Sequence, residues 1–286
     1  MAKVTKSAKN NIEVLSANGL SSFVDDTDGL LKLKDVNGVV EPITNYTGNV
    51  NGEVIVQGTG TCSSLRCGVN NTASGNYSGS LGGCNNLVTG RFSSVVNGAS
   101  NCALSAFSTI GGGCANVLSA TSVFSTIVGG QNNCATLGCN QFVGAGLCNK
   151  IVGFGNNAAC LNNYDTVLNG VCNCITSYCR SCTCYSTILN GCKNQGIGFF
   201  NTILSGGNHC INGRYNTILS NLCNTVLGSE NNLFGGGACV IGSSSTNVFD
   251  GPNTICSSTQ MFVTGRYGNV TAMQCGILFG GSNNCL

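Results

Sequence analysis

STILNGCKNQGIGFFNTILSGGNHCINGRYNTILSNLCN, residues 186–224, says the same phrase three times, starting at Ser186, Asn201 and Asn216 with 15 residues between starts. Each phrase runs Ser or Asn, Thr, two aliphatic residues, Gly or a small polar residue, then a polar turn. Reading outward, the phrase returns as SSVVNGASN from Ser93, STIGGGCAN from Ser108, STIVGGQNN from Ser125 and DTVLNGVCN from Asp165. Ser78, Ser93 and Ser108 keep the same 15-residue spacing. A weaker echo falls halfway, as CNNLVTG from Cys84, CALSA from Cys102, CINGRY from Cys210 and NTVLGSEN from Asn224. The unit is therefore 7 or 8 residues, two units to a turn. The steps of 17 residues from Ser108 to Ser125 and 21 from Asp165 to Ser186 depart from it. The second equals about three half-units, so the coil is expected to run on through it.

A unit this short cannot bury its own hydrophobic face, whereas stacking turn on turn can. Each half-unit holds a strand of three or four residues and a tight turn, where Asn and Gly accept a left-handed backbone. The expected fold is all-β: a parallel β-roll with two short strands per rung of about 15 residues, aliphatic residues stacked on their equivalents. Asn and Ser recurring in register are expected to form side-chain ladders. A low-complexity coil fails because it would not hold both the period and the aliphatic slots. One chain with so small a rung encloses little core, and parallel copies sharing apolar faces would supply more.

Composition agrees. Charged residues make up 8% of the 286, against about 25% usually, and the 42 Gly come with only two Pro. Disorder ordinarily brings high charge or high Pro, while Asn, Ser, Thr and Gly suit turns and Thr, Val and Ile suit strands. Net charge is +2 and the basic residues beyond residue 50 are scattered, which argues against nucleic acid as a partner. No apolar run approaches a membrane span. The opening MAKVTKSAKNNIEV lacks the hydrophobic stretch of a secretory signal, so assembly in a cytoplasm is expected. On that basis most of the 21 cysteines read as reduced, small, buried hydrophobes, with extensive disulfide pairing as the alternative. Their odd number excludes complete pairing within one chain.

The chain changes character along its length. Residues 1–50 carry 6 of the 10 acidic residues and no cysteine, and read as an attachment or assembly-nucleating segment. Within them FVDDTDGLLKLKDVNGVVEPI reads as two short strands with turns at Asp28-Gly29 and Asn37-Gly38, and residues 6–15 as an extended lead-in or a short helix. Residues 51–74 form a transition and 75–286 the repetitive roll.

The repeats NNTASGNYSGSLGGCNN (70–86), NNLVTGRFSSVVNGASN (85–101) and INGRYNTILSNLCN (211–224) resemble the head repeat of YadA-like trimeric adhesins and of phage and viral fibres. The resemblance covers roughly residues 70–286. It implies left-handed rolls wound as obligate homotrimers, the aliphatic pairs dividing between rung interior and threefold core. Those pairs are Val95-Val96, Ile127-Val128, Val167-Leu168, Ile188-Leu189, Ile203-Leu204 and Ile218-Leu219, and adjacent strand residues do point in opposite directions. FVDDTDGLLKLKDVNG is similar to leaders of phage structural proteins, which implies that residues 1–50 contact another virion protein. No signal peptide, anchor or autocleaving chaperone is legible. A virion-surface fibre that reaches toward a host glycan or receptor is therefore the leading expectation, and a bacterial surface adhesin or filament the alternative. An ice-binding face would need Thr-x-Thr rows, which the repeat lacks.

The chemistry-bearing residues point away from catalysis. His209 reads as a surface turn in GGNHCING with no triad motif around it. Glu53, Asp165, Glu230 and Asp250 are too dispersed to pair as a glycosidase requires. Gly-rich 111–113 and 235–237 lack a phosphate-loop context and read as crowded turns. Cys172, Cys174, Cys179, Cys182 and Cys184 include one C-x-x-C spacing; stacking or an occasional disulfide is expected over a metal site, and no cofactor is expected. Phe92, Phe107, Phe124, Tyr164, Tyr185, Phe200 and Tyr215 precede the motif starts and form a longitudinal row, read as packing between rungs or chains ahead of glycan contact.

Overall fold

The computed structural model describes residues 3–6, 12–15, 21–24, 31–34, 40–42, 55–66, 68–153, 164–177, 184–219, 222–235, 239–249, 254–264, 269–271 and 276–279. The chain divides into two compact units, Met1–Val54 and Ile55–Leu286.

The first unit is an antiparallel sheet of five strands in chain order: Lys3–Lys6, Ile12–Leu15, Ser21–Val24, Leu31–Lys34 and Val40–Pro42. The stretch read as two strands therefore supplies three, with Asp28-Gly29 and Asn37-Gly38 falling between them in sequence. Ile12–Leu15, where a short helix was an alternative, is a strand paired with Lys3–Lys6. Pro42 sits opposite Lys32 on an edge strand, where a missing N–H costs no ladder bond on its outer side.

The second unit is a parallel β-solenoid. Ile55–Gln57 pairs antiparallel with Ser64–Arg66, and Ser64–Arg66 then pairs in parallel with Gly79–Ser80. From there two series of short strands alternate, each pairing with its equivalent one rung on. The threonine strands include Ser94–Val95, Thr109–Ile110, Thr126–Ile127, Phe142–Val143, Thr166–Val167, Thr187–Ile188, Thr202–Ile203 and Thr217–Ile218. The cysteine strands include Leu87–Val88, Cys102–Ala103, Val117–Leu118, Cys134–Thr136, Lys150–Val152, Cys174–Thr176, Gln195–Phe199, Cys210–Arg214 and Thr225–Val226. The half-way echo of the sequence is thus the second strand of each rung. Thr166 pairs directly with Thr187, so the 21-residue step is one rung with excess residues, not three half-units. Had it been three half-units, Thr187 would have joined the cysteine strands.

Strand alternation sends the second residue of each strand inward. Val95, Ala103, Ile110, Leu118, Ile127, Ala135, Val143 and Ile151 begin a file of buried side chains that continues through Val167, Ile175, Ile188, Ile203, Ile211 and Ile218. Each Val, Leu or Ile of the file contributes about 1.5–3 kcal/mol by leaving water, and each Ala less.

The residue before each of these strands also points inward and is polar, whereas Cys239 takes that place ahead of Val240–Phe249. Ahead of the cysteine strands stand Asn86, Asn101, Asn116, Asn133, Asn149, Asn173 and Asn194, all buried. Asn116 shows the pattern: its N–H donates to Asn101 Oδ1 at 3.0 Å, and its own Oδ1 accepts from Asn133 N–H at 2.9 Å. Its amide donates to the carbonyls of Gly112 and Gly130 at 3.0 and 2.9 Å. The Gly112 carbonyl, which the tight coil would otherwise strand, is thereby satisfied, and the Gly130 carbonyl, already bonded by Cys114 N–H at 2.9 Å, gains a second donor. Ahead of the threonine strands Ser93 and Ser108 donate to Gly90 and Ser105 carbonyls at 2.6 and 2.7 Å, and Asn201, Asn216 and Asn231 take over in later rungs. Gly113, at φ +89°, leaves no room for a side chain, since a Cβ would lie 2.0 Å from the Gly130 carbonyl oxygen. Of the glycines at 111–113, Gly111 and Gly113 thus serve crowded positions, whereas Gly112 has room for a side chain.

Candidate functional site

His209 occupies the asparagine slot and is buried, which corrects its reading as a surface turn. Its N–H donates to Asn194 Oδ1 at 3.1 Å, Nδ1 accepts from Asn224 N–H at 3.3 Å, and Nε2 lies 3.2 Å from the Ser205 carbonyl. Acceptor Nδ1 fixes the proton on Nε2, so the ring reproduces an asparagine's acceptor and donor in place. Both nitrogens are committed to the ladder. Every phrase quoted above ends on Asn except this one, the signal that would have placed His209 inside.

Asp165 fills the serine slot ahead of a threonine strand and is also buried. Ser177 Oγ donates to Oδ2 at 2.6 Å and Ser186 N–H to Oδ1 at 2.9 Å. Burial pushes its carboxyl up to about 6, against the pull of those two hydrogen bonds. It belongs to the ladder opposite that of His209. The acid at the start of DTVLNGVCN is thus an interior residue, which its place in the phrase could have shown.

With the interior filled, function must be sought on the surface. Each rung passes one turn, a threonine strand, a second turn and a cysteine strand, so the two turns make opposite edges.

The edge leading into the threonine strands carries the aromatic row. Phe92 stacks on Phe107 with ring centroids 5.0 Å apart, Phe107 on Phe124 at 4.9 Å, Tyr164 on Tyr185 at 4.9 Å and Phe200 on Tyr215 at 4.8 Å. Tyr185 and Phe200 are tilted at 5.5 Å. Tyr77, absent from the row read in the sequence, stacks on Phe92 at 4.8 Å. Asn140 holds the equivalent place between Phe124 and Tyr164, two residues before its strand. Face-to-face stacking along the axis occupies the ring faces on which a sugar would lie, and leaves ring edges outward. On either side of Asn140 the rings pack rung against rung.

The opposite edge leads into the cysteine strands. Cys84, Cys114 and Cys192 sit three residues before a strand, at bridges that tie the turns together. Cys148, Cys172 and Cys223 sit at the next position with φ from 56° to 59°, and Cys102, Cys134, Cys174 and Cys210 open the strands, facing out. Cys114, Cys148, Cys172, Cys192 and Cys223 are exposed, and Cys84, Cys102, Cys134, Cys174 and Cys210 half-buried. The expectation of mostly buried cysteines fails because their slots lie one or two residues away from the inward positions. Burial is confined, among the described cysteines with resolved exposure, to Cys139, Cys184 and Cys239, and Cys139 is disulfide-bonded. Of the expected cluster, Cys172 and Cys174 lie on this edge, Cys184 lies on the aromatic edge, and Cys179 and Cys182 fall outside the described residues. Among the described residues no group of three or more His, Cys, Asp or Glu could hold a metal ion.

The broad face of the threonine strands separates the aliphatic pairs. Val95, Ile127, Val167, Ile188, Ile203 and Ile218 are buried. Their partners lie outside the single-chain core: Val96, Val128, Leu168 and Leu189 are 44%, 52%, 47% and 38% exposed, and Leu204 and Leu219 half-buried. Together with the outward Thr109, Thr126, Thr166, Thr187, Thr202 and Thr217 they make a face without a charged residue. No protein-family model and no curated protein matches the sequence. The chain is, by its own geometry, an all-β parallel solenoid of two-stranded rungs.

Proposed function

We propose that the chain is a non-catalytic fibre subunit of a virus particle, assembled as a homotrimer. The observation that carries this reading is the uncharged rank of Val96, Val128, Leu168 and Leu189, standing exposed along one face of a roll whose interior is narrow. Covering such a rank with the same rank of another copy extends the core that each chain lacks. The commitment of His209 and Asp165 to interior ladders supports a structural role. The resemblance of the repeats to YadA-like and viral fibre repeats supports the trimeric arrangement. Residues 1–50 then serve as attachment to another virion protein, and the roll projects toward the host surface.

Light scattering on the purified full-length protein in reducing buffer, with electron microscopy of the same sample, tests the proposal. The expected result is a rod with the mass of three chains. A compact particle with the mass of one chain would overturn it.

A further inference from the structure

The cysteines of the second edge follow a rule that neither the fold nor the interior explains. Nine successive rungs each place at least one there: Cys84, Cys102, Cys114, Cys134, Cys148, Cys172 with Cys174, Cys192, Cys210 and Cys223. Three different slots are used, so what recurs is a sulfur per rung rather than a residue at one site. Packing does not require sulfur at these positions, since Val69, Leu147, Val171 and Leu222 occupy the bridge slot in other rungs, all exposed.

Neighbouring rungs mostly use different slots, as in Cys84, Cys102, Cys114, Cys134. That stagger keeps adjacent thiols of one chain out of register. Cys148 and Cys172 are the exception: they share a slot in adjacent rungs, between the paired Leu147 and Val171 and the paired Lys150 and Cys174. The edge thus carries a sulfur at each rung, with rungs about 4.8 Å apart, exposed at Cys114, Cys148, Cys172, Cys192 and Cys223 and half-buried at the others, flanked by exposed aliphatic side chains. Only a surface with the same repeat meets such an array at many points, and a second copy of this chain has it. The edge also adjoins the aliphatic rank, because Val96, Val128, Leu168 and Leu189 lie on the chain just before the turn that carries the thiols.

We propose that this edge is a covalent seam, at which copies of the chain are joined by intermolecular disulfides when the assembly meets a small-molecule disulfide. The inference rests on the fibre reading, whose apolar rank brings the copies together. A turn thiolate attacks one sulfur of the small disulfide, forming a protein mixed disulfide and expelling one thiolate. The thiolate of a second copy then attacks the protein sulfur, forming the interchain bond and expelling the other thiolate. Two cysteine sulfurs are oxidised, one small disulfide is reduced to two thiols, and the cysteine protons end on those thiols. The exposed Cys114, Cys148, Cys172, Cys192 and Cys223 are the reactive members. Burial raises the thiol pKa at Cys102, Cys134 and Cys210 and holds them in the less reactive form.

The full-length chain, purified in reductant, is exposed to oxidised glutathione, alkylated, and run on a denaturing gel without reductant. Covalent species of two or more 29.1 kDa chains are expected, with peptide mass spectrometry placing the links between edge cysteines. Cys62→Ser, an exposed cysteine on the aromatic edge, should leave the multimers intact. Replacing Cys114, Cys148, Cys172, Cys192 and Cys223 together by Ser should reduce them at least tenfold, with an unchanged β-type circular dichroism spectrum. Should that variant misfold, link mapping in the unaltered chain decides. Persistence of single chains, links only between Cys148 and Cys172 of one chain, or links only at cysteines off the edge would overturn the seam. Three-chain mass in reductant without cross-linking sinks the seam alone, whereas single-chain mass sinks the fibre reading with it.

Discussion

Asp165 is the residue most exposed to a change of pH, although solvent does not touch it. Its slot takes Ser in early rungs and Asn in later ones, and Asp is the member that must lose a proton in the interior. With its carboxyl raised from 3.8 to about 6, the native state keeps a proton that the unfolded chain has released between those values. Stability from this group is therefore present in full below pH 4 and falls as pH rises through 6, by about 2–3 kcal/mol. Asp165→Asn should abolish that decline and raise stability at pH 7, read as urea midpoints across pH 4–8. A second residue-scale test concerns the aromatic edge. Tyr77, Phe92, Phe107, Phe124, Phe200 and Tyr215 hold φ between 54° and 58°, a region costing a bulky residue about 1–2 kcal/mol. Stacking with the next ring offsets it. Phe107→Ala should lose the stacking and keep the strain, while Phe107→Gly loses both. The glycine variant should then melt above the alanine variant, the reverse of their usual order in a strand.

At the scale of the element, most strands of the roll are two or three residues long and stand because the asparagine ladder closes their turns. Asn116→Ala would leave Asn133 N–H and the Gly112 carbonyl without their partners, while the Gly130 carbonyl keeps its bond from Cys114 N–H. Each buried orphan costs about 1–3 kcal/mol, and water entering the gap recovers part of it. A loss of about 2–4 kcal/mol is expected in denaturant unfolding; a change below about 0.5 kcal/mol would show that the ladder does not hold the rung. Much of this was legible beforehand. Period, aliphatic slots, second strand and aromatic row all follow from the spacing of Ser186, Asn201 and Asn216, because a repeat imposes one environment on each position. His209 is read as surface because residue type outweighs position in that reading: histidine is ordinarily a surface residue, and here the slot prevails, as it does for Asp165. The cysteines misled in the same way, as small hydrophobes assigned to an interior their slots do not face. The 21-residue step differs from the reading as three half-units because length alone does not distinguish extra half-units from residues inserted into one rung.

The whole molecule poses the question of what covers the threonine-strand face. Within one chain Leu168 and Val128 are roughly half exposed, so charge at either place meets water and should alter single-chain stability by no more than about 0.5 kcal/mol. Within an assembly that buries the rank, the same charge is unpaired in an apolar seam and costs several kcal/mol per copy. Symmetry multiplies the effect, since every chain carries the substitution into the shared core. Val128→Glu combined with Leu168→Glu should therefore separate the assembly into single chains that keep their β-type circular dichroism. Thr89→Glu, exposed beyond a cysteine strand on the other face, should leave the mass as it is. Light scattering in reductant reads both outcomes. Equal masses for the two variants would show that the threonine-strand face is not where copies meet, and would leave the aliphatic rank as surface that the solenoid tolerates.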